Sequence, residues 1–511
     1  MTTHCKTINR RDFIGHAAVV AGASLVPGSL AALAESGELP WLSIAEAARR
    51  LRSHELTSTA LVHALLARID VQNPQLNAFI TIMREAALGE AAALDAEAAK
   101  GKFRGPLHGI PLAIKDNIDT AGTRTTMGSM LFDDRVPTAD AYVVAQLRRA
   151  GAILIGKTNL HEFAMGGSSV TSYFGAVHNP WALDRETGGS SGGSAVAVAS
   201  GLALGALGTD TGGSIRIPAA WCGVVGLKPT YGLVSLGGIF PLIYSLDHCG
   251  PLTRNVEDAA TMLTAMVGFD KHDVASLEHP PEDYSATMQR IQVANLRVGI
   301  PRAPYFDRLE PSIAAAVESA VTVLRGLVKS VHDVTLPATG ELDWTAIRAA
   351  EVGAVHEDLY RRHAGSYSLQ TRGVVEDTLR ELNEPGQTSA DKLADLVRAQ
   401  WQLAHLRKTI DDAFTDFDLV VLPTNRIGPR TISDERKREE KPEPLEPENI
   451  FNSLPFNLYG MPALSLPCGF SASGMPIGMT IAGPHFSEAS ILALGKAYEK
   501  ATNWHLRRIP V

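Results

Sequence analysis

Apolar positions along the chain alternate between helical and extended spacing for most of its length. Ser43-Ile44-Ala45-Glu46 has the form of a capping box and predicts a short helix to about Leu51. Leu61, Val62, Leu65, Leu66 and Ile69 recur at helical spacing and predict a helix from Thr57 to Ile69. An alanine-rich stretch around Arg84 to Lys100 reads as a third helix, stopped by Gly101. Compact apolar runs at 111–114, 152–155, 296–300 and 418–422 have strand length, and helical patterns at about 140–150, 255–267 and 313–328 are interleaved with them. Leu202 to Leu207 is short and apolar enough for one more buried strand. Strand candidates at 463–466 and 477–482 and a helix over about 487–502 close the chain. Such alternation predicts an α/β fold, a sheet covered by helices on both faces.

Two later stretches depart from this rhythm. Residues of about 340–417 are helical in pattern throughout, and 429–449 is a charged, proline-punctuated run expected to be an exposed loop. Together, about 340–450 reads as a peripheral helical and loop elaboration of one domain spanning 35–511.

Composition agrees with a large soluble enzyme fold. The chain has 511 residues, 45% hydrophobic and 20% charged, enough apolar material for a continuous core. Asn9-Arg10-Arg11-Asp12-Phe13-Ile14 precedes a mildly apolar run that ends in Ala32-Leu33-Ala34, the grammar of a twin-arginine signal peptide over residues 1–34 with periplasmic export as its consequence. Glycines and Pro27 interrupt that run too often for a transmembrane helix. Cleavage removes Lys6, Arg10, Arg11 and Asp12 and takes the formal charge from -8 to -10. An acidic surface argues against nucleic acid and anionic membranes as partners. Cys222, Cys249 and Cys468 would remain, an odd and sparse set that is no disulfide framework. His161-Glu162 lacks a second histidine at metal-binding spacing, and neither a metal nor a cofactor is expected.

The chemistry concentrates in two glycine-serine clusters. Gly188-Gly189-Ser190-Ser191-Gly192-Gly193-Ser194 opens directly into Ala195-Val196-Ala197, which a flexible linker would not do, and lacks the Lys-Ser/Thr pair of a phosphate loop. Its first five residues satisfy G-x-S-x-G, so Ser190 has the local pattern of a nucleophile elbow; that reading needs a histidine base, for which His248, His279 and His485 are the candidates. An S-x-x-K at Ser389 to Lys392 sits among charges and reads as a surface turn. The second cluster, Gly208-Thr209-Asp210-Thr211-Gly212-Gly213-Ser214, follows the apolar run 202–207. Glycines there let the N–H groups of Thr211, Gly212, Gly213 and Ser214 converge on a ligand, as an oxyanion requires, with Ser214 placed as nucleophile. Asp210 and Arg216 flank this nest and read as a structural ion pair. In Gly109-Ile110-Pro111-Leu112-Ala113-Ile114-Lys115-Asp116-Asn117 a lysine ends an apolar strand, where desolvation can turn an ammonium into a base; alone, Lys115 would read equally as the partner of Asp116.

GIPLAIKDNIDT, KTNLHEFAMGGSS, GGSSGGSAVAVASG, GTDTGGSIRIPAAWCGVVGLKPTYG and SLDHCGPLTRNVEDAA resemble, in order and spacing, the segments of the amidase signature family. GMPALSLPCGF and the final helix resemble its C-terminal part. The likeness runs from about 43 to 505 and is weakest across 270–450. It implies a single α/β/α domain with a central mixed sheet and a Ser-Ser-Lys triad: Lys115 as base, Ser190 as a bridging serine held on a cis peptide, Ser214 as nucleophile. Ser191 and Ser194 would bond neighbouring main chain and cap the next helix. The implied reaction is hydrolysis of a small carboxylic acid amide to acid and ammonia through an acyl-enzyme. Within the family the alternative is the glutamine-hydrolysing component of an amidotransferase. The export signal favours a stand-alone amidase, and Phe240-Pro241-Leu242 after Gly237-Gly238 is similar to hydrolases of aryl amides such as mandelamide or indoleacetamide. Oligomeric state, a homodimer included, stays open.

Overall fold

The computed structural model describes residues 37–509, apart from 341, 384, 385, 387 and 441–449. The predicted signal peptide over 1–34 lies outside the described residues. Eleven strands form one sheet: β1 (Phe79–Ile82), β2 (Pro111–Lys115), β3 (Ile153–Thr158), β4 (Gly205–Asp210), β5 (Val225–Lys228), β6 (His248–Thr253), β7 (Arg297–Ile300), β8 (Ser330–Asp333), β9 (Leu419–Pro423), β10 (Ala463–Phe470) and β11 (Pro476–Ala482). Their order is β1-β3-β2-β4-β6-β5-β10-β11-β9-β7-β8. The sheet is mixed: β3, β2 and β4 run parallel, as do β8, β7 and β9, while β6, β5, β10 and β11 are joined through antiparallel pairings. Every residue of β2, β3 and β4 is buried, which is why these strands read as unbroken apolar runs.

The predicted helices form, with adjusted ends. Ser43 caps Ile44–Arg52 by accepting the Glu46 N–H, and Thr57 caps Ser58–Leu76, seven residues longer than the apolar pattern suggested. Arg84–Ala98, Tyr142–Arg149, Val256–Met266, Pro311–Arg325 and Glu488–Thr502 follow the pattern closely. β1, β5, β6 and β8 were not legible. β1, β5 and β8 have only four residues each, and β6 carries Pro251 opposite Leu207 in the sheet interior, where a missing donor normally argues against a strand.

Three local expectations are corrected. The apolar run 202–207 is not itself the strand. Gly192–Ala199 is a helix, and Leu202 N–H still bonds back to Ala197, so β4 begins only at Gly205 and ends on Asp210. Ser191 stands at that helix's N-cap but does not cap it. Its hydroxyl donates to Thr209 O at 3.1 Å, while Ser194 Oγ donates to Leu207 O at 2.8 Å, so both serines fasten the helix to β4. Part of the stretch expected to be an exposed loop is helical: Thr431 caps Ile432–Glu439, and Glu435 is buried there.

The main core packs residues from Leu39 to Tyr498 around the sheet. A second apolar cluster joins Met127, Phe163, Ile243 and Leu246 to Ile347, Val352, Tyr367, Val375, Ala399 and Leu403. The latter six come from helices Trp344–His363, Leu369–Leu382 and Ser389–Thr409 and the turn at Tyr367, so the 340–417 elaboration packs onto loops at the sheet's rim. Among the described residues no helix is long and apolar enough to cross a membrane.

Gly193, in the first turn of the Gly192–Ala199 helix, is pressed against the carbonyl oxygens of Asn159 and Ala78, whereas Gly89 in Arg84–Ala98 faces open space. Gly193→Ala should therefore destabilise the fold by roughly 1–3 kcal/mol or more through overpacking against main chain. Gly89→Ala should be neutral or stabilise by up to about 1 kcal/mol through helix propensity. Paired thermal melts check both; equal melting temperatures for the two variants would contradict the packing described.

Candidate active site

Parallel β2 and β4 end side by side, and the chemistry gathers at their carboxyl ends. Lys115 is the last residue of β2 and has no exposed surface. Its Nζ donates to Ser190 Oγ and to Thr209 Oγ1, both at 2.7 Å. Asn117 Nδ2 also donates to Thr209 Oγ1, at 3.2 Å. Among the described residues no carboxylate lies within ion-pair reach of Lys115. Asp116 turns away, accepting from Thr126 N and Oγ1 and lying 4.0 Å from the Lys157 ammonium. The reading of Lys115 as Asp116's partner is thereby replaced. Burial pushes Lys115 down to about 7, against the opposing pull of the Asp210 and Asp247 charges.

Ser190 follows a cis Gly189–Ser190 peptide, and its carbonyl accepts from His161 N and Ser169 Oγ, each at 3.2 Å. Ser214 lies alongside: the N–H of Ser191 donates to Ser214 O at 3.2 Å. Ser214 is only half-buried, unlike Ser190, so of the two it is the serine a ligand can reach. No side-chain hydrogen bond joins the two serines among the described residues.

The loop carrying Ser214 is built around Asp210. Arg216 Nε and Nη2 donate to its two carboxylate oxygens at 3.0 and 2.9 Å, and both residues are fully buried. Burial works against the Asp210 anion, but the Arg216 charge and hydrogen bonds from Arg216 and Asn457 outweigh it and hold the carboxyl well below its usual range. The same carboxylate accepts from Gly213 N at 2.8 Å and Ile215 N at 3.1 Å. Gly213 is thus corrected as an oxyanion donor, because its N–H is already engaged. The donors left in the nest are those of Thr211, Gly212 and Ser214, for which no protein acceptor appears among the described residues. Gly213 itself is required by geometry. Its φ is +134°, and a Cβ there would strike the Ser453 hydroxyl.

Among the described residues none of the three candidate histidine bases is hydrogen-bonded to Ser190 or Ser214. His248 is buried with Nδ1 at 2.7 Å from Leu246 O, and burial holds it well below the usual imidazole range. His279 stacks on Phe486, and His485 pairs with Asp411 at 3.0 Å. With Lys115 on Ser190 and no histidine hydrogen-bonded to that serine, the nucleophile-elbow reading lacks its histidine base among the described residues. Lys392 of the S-x-x-K stretch donates to the carbonyls of Glu381 and Leu382 at the surface.

Several participants were not singled out from sequence: Thr209, the second hydroxyl on Lys115; Asn117, two residues beyond Lys115; Asn457, which donates to Asp210 Oδ1 at 2.9 Å; and Asp247, which accepts from Thr211 Oγ1 at 2.5 Å. Thr209 and Asp247 sit inside the quoted segments GTDTGGS and SLDHCGP, so their place in those motifs was the available signal.

At the ends of β2 and β4 a buried lysine is thus held on a serine, with no carboxylate within ion-pair reach among the described residues, next to a glycine-rich nest. The family model described as Amidase matches residues 60–492, and the chain belongs to the amidase signature family. It is similar to a glutamyl-tRNA(Gln) amidotransferase component from Roseiflexus sp. (strain RS-1), 40% identical over 484 residues, 91% of this chain and 97% of that one. Among solved structures it is similar to the native peptide amidase of Stenotrophomonas maltophilia, with a TM-score of 0.75 and 34% identity over 91% of this chain and 98% of the other. A substrate complex of 6-aminohexanoate cyclic dimer hydrolase matches with a TM-score of 0.79 and 29% identity over 92% and 98%.

Because the fold disfavours the Lys115 ammonium, the unfolded chain binds more protons between about pH 7 and the free-lysine range near 10.4, and stability rises with pH across that window. Lys115→Met should therefore stabilise the protein, by an amount on the order of a few kcal/mol at about pH 6 and by less at about pH 10. Chemical denaturation at the two pH values checks this; a destabilised variant at the lower pH would show that the ammonium is welcome in its site.

Proposed function

We propose that this protein hydrolyses a carboxylic acid amide to the acid and ammonia through an acyl-enzyme on Ser214. The observation that carries the reading is Lys115, buried without a carboxylate and 2.7 Å from Ser190, with its ionisation brought to about 7. Neutral Nζ takes the Ser190 proton as Ser190 Oγ takes that of Ser214. Ser214 Oγ bonds to the amide carbon, and the carbonyl electron pair moves onto oxygen, where the free N–H groups of the nest receive it. The tetrahedral adduct then collapses: the C–N bond breaks, and the proton returns from Lys115 through Ser190 to the departing amine. Water enters by the same relay, its proton passing to Lys115 and back to Ser214 as the acid leaves.

The amidotransferase relatives support glutamine as the amide, with ammonia passed onward in a complex; they match this chain at about 40% identity over nine-tenths of its length. A feature of the site supports a stand-alone amidase for apolar or aryl acyl groups. Phe240 N–H donates to Asn117 O at 2.9 Å, which ties its loop to the residue two beyond Lys115, and its ring packs with Phe132 and Phe163 at 5.9 and 5.5 Å between centroids. The relatives favour the first reading more strongly than the aromatic loop favours the second. Ammonia release by the purified chain, from glutamine and from aryl amides such as mandelamide, separates them.

On the triad reading, kcat/KM should rise with pH through a limb near 7, since Lys115 must be neutral. Lys115→Ala should remove turnover at neutral pH. Ser190→Ala should slow acylation by about 10²–10⁴-fold, as for a lost proton relay, while Ser214→Ala should abolish it. Mass spectrometry after a serine-directed fluorophosphonate reads the nucleophile directly. The adduct belongs on the Ser214 peptide, and an adduct on Ser190 would overturn the assignment.

We further propose periplasmic export through Arg10-Arg11. Replacing both with lysine should retain activity in the cytoplasm of a bacterial host; undiminished periplasmic activity in fractionated cells refutes it.

A further inference from the structure

β4 and β6 are antiparallel, and their last registered pair is Asp210 with His248. The next residues on each side are Thr211, first of the nest, and Asp247, which ends the loop bearing Phe240. Beyond the ladder the backbone no longer ties these two segments together. A side chain does so instead. Asp247 is buried, and its Oδ1 accepts from Thr211 Oγ1 at 2.5 Å and from Ile243 N at 3.3 Å, while Oδ2 accepts from Leu242 N at 2.9 Å. One carboxylate therefore holds the start of the nest at a fixed distance from the loop after Phe240. It also occupies the only hydroxyl of Thr211, leaving that residue's N–H as its group for a ligand.

We propose that Asp247 is a positioning residue of the acyl-transfer centre, fixing Thr211 so that its N–H faces the developing oxyanion and setting the Phe240 loop against the nest. This inference rests on the acyl-enzyme reading above. A carboxylate suits the task because the three groups it meets are all donors, and only an anion accepts from all of them without offering a proton in return.

Its charge also reaches the base. Asp247 favours the Lys115 ammonium and so opposes the effect of burial. The other charged and titratable groups around it are Asp210 at the end of β4, His248 next along the chain, Glu351 from Trp344–His363, and Arg407 with Tyr231, Arg407 donating to Ser245 O at 2.6 Å. Asp247 itself is raised to about 6, by burial first, and by Glu351. Above about pH 7 the pair accordingly stands as a carboxylate beside a neutral amine, the state the relay uses. Removing the Asp247 charge lowers the proton affinity of Lys115 further, so the acidic limb of activity moves to lower pH.

The test uses the full-length protein and two substitutions, Asp247→Asn and Thr211→Val. Each should lower kcat by about 10- to 100-fold, short of the loss on deleting an oxyanion donor outright, with KM changed by less than about threefold. The double variant should lose little more than either single one, because both remove the same hydrogen bond. Asp247→Asn alone should shift the acidic limb of kcat/KM downward. Fluorophosphonate labelling of Ser214 should slow in both variants even if the substrate amide is unknown. Wild-type rates of labelling in both variants, or additive losses with an unmoved limb, overturn the inference. Failure of the wild type to label at Ser214 overturns the acyl-enzyme reading instead, so the two failures are distinguishable. A variant whose melting temperature falls markedly is replaced by the other, since either member reports on the same bond.

Discussion

The loop that carries Ser214 depends on one buried ion pair. Asp210 ends β4, and its carboxylate gathers donors from Gly213, Ile215 and Arg216 in the following turn, so the chain is forced to fold back over the strand end. Arg216 then reaches outward, donating to Ser453 O at 2.9 Å and Asn457 Oδ1 at 2.6 Å. Ser453 Oγ in turn donates to Gly212 O at 2.5 Å. A buried charge is costly unless it is paired and hydrogen-bonded, and here every contact that satisfies Asp210 also shapes the nest or fastens it to the 453–457 segment. Breaking either partner would leave an uncompensated buried charge within the loop that carries Ser214.

Lysine burial by itself does not mark the base. Lys115, Lys157 and Lys228 are all fully buried, and burial lowers the proton affinity of each. Their partners separate them. Lys157 faces the Ile118 carbonyl, two threonines and, at 4.0 Å, Asp116; Lys228 donates to the carbonyls of Pro229 and Met461. Carbonyl oxygens accept hydrogen bonds but have no proton to give. Lys115 alone of the three is held only by hydroxyls, Ser190 and Thr209, and a hydroxyl can pass a proton on. Geometry therefore singles out Lys115 for the proposed role, and burial brings its ionisation to about 7.

Much of this was legible in the sequence. The buried strands β2, β3, β9, β10 and β11 announce themselves as apolar runs, and Lys115 stands out because it ends one of them. The 210–216 ion pair is readable too, since opposite charges bracket a glycine turn. What escaped depends on partners distant in sequence. Asn457 meets Asp210 from 247 residues away, and Asp247 meets Thr211 across the end of a β-ladder whose strand β6 is disguised by Gly250 and Pro251. The oxyanion nest was overcounted for the same reason: four N–H groups converge in principle, but only the folded chain shows that Asp210 has claimed Gly213. The charged run after 429 misled because its burial comes from tertiary contact, Arg430 N–H donating to Glu186 Oε1 at 2.9 Å, rather than from its own composition.

The helices between 344 and 409 meet the catalytic loops through a few polar fastenings. Gln370 Oε1 lies 2.9 Å from His161 Nε2, Ser368 N–H donates to Glu162 at 3.0 Å, and Glu351 accepts from Ser245 N at 3.0 Å. Arg407 adds bonds to the carbonyls of Ser245, Asn457 and Leu458; none of these fastenings touches the ladder of the sheet, and apolar packing on Phe163 and its neighbours supplies further contact. A unit fastened in this way can be exchanged as a module. Its outer faces can drift without disturbing strand register, and its inner face can be recast to admit a different acyl group while the proton relay stays as it is. A change in the acyl group accepted would thereby be uncoupled from any change in the proposed mechanism.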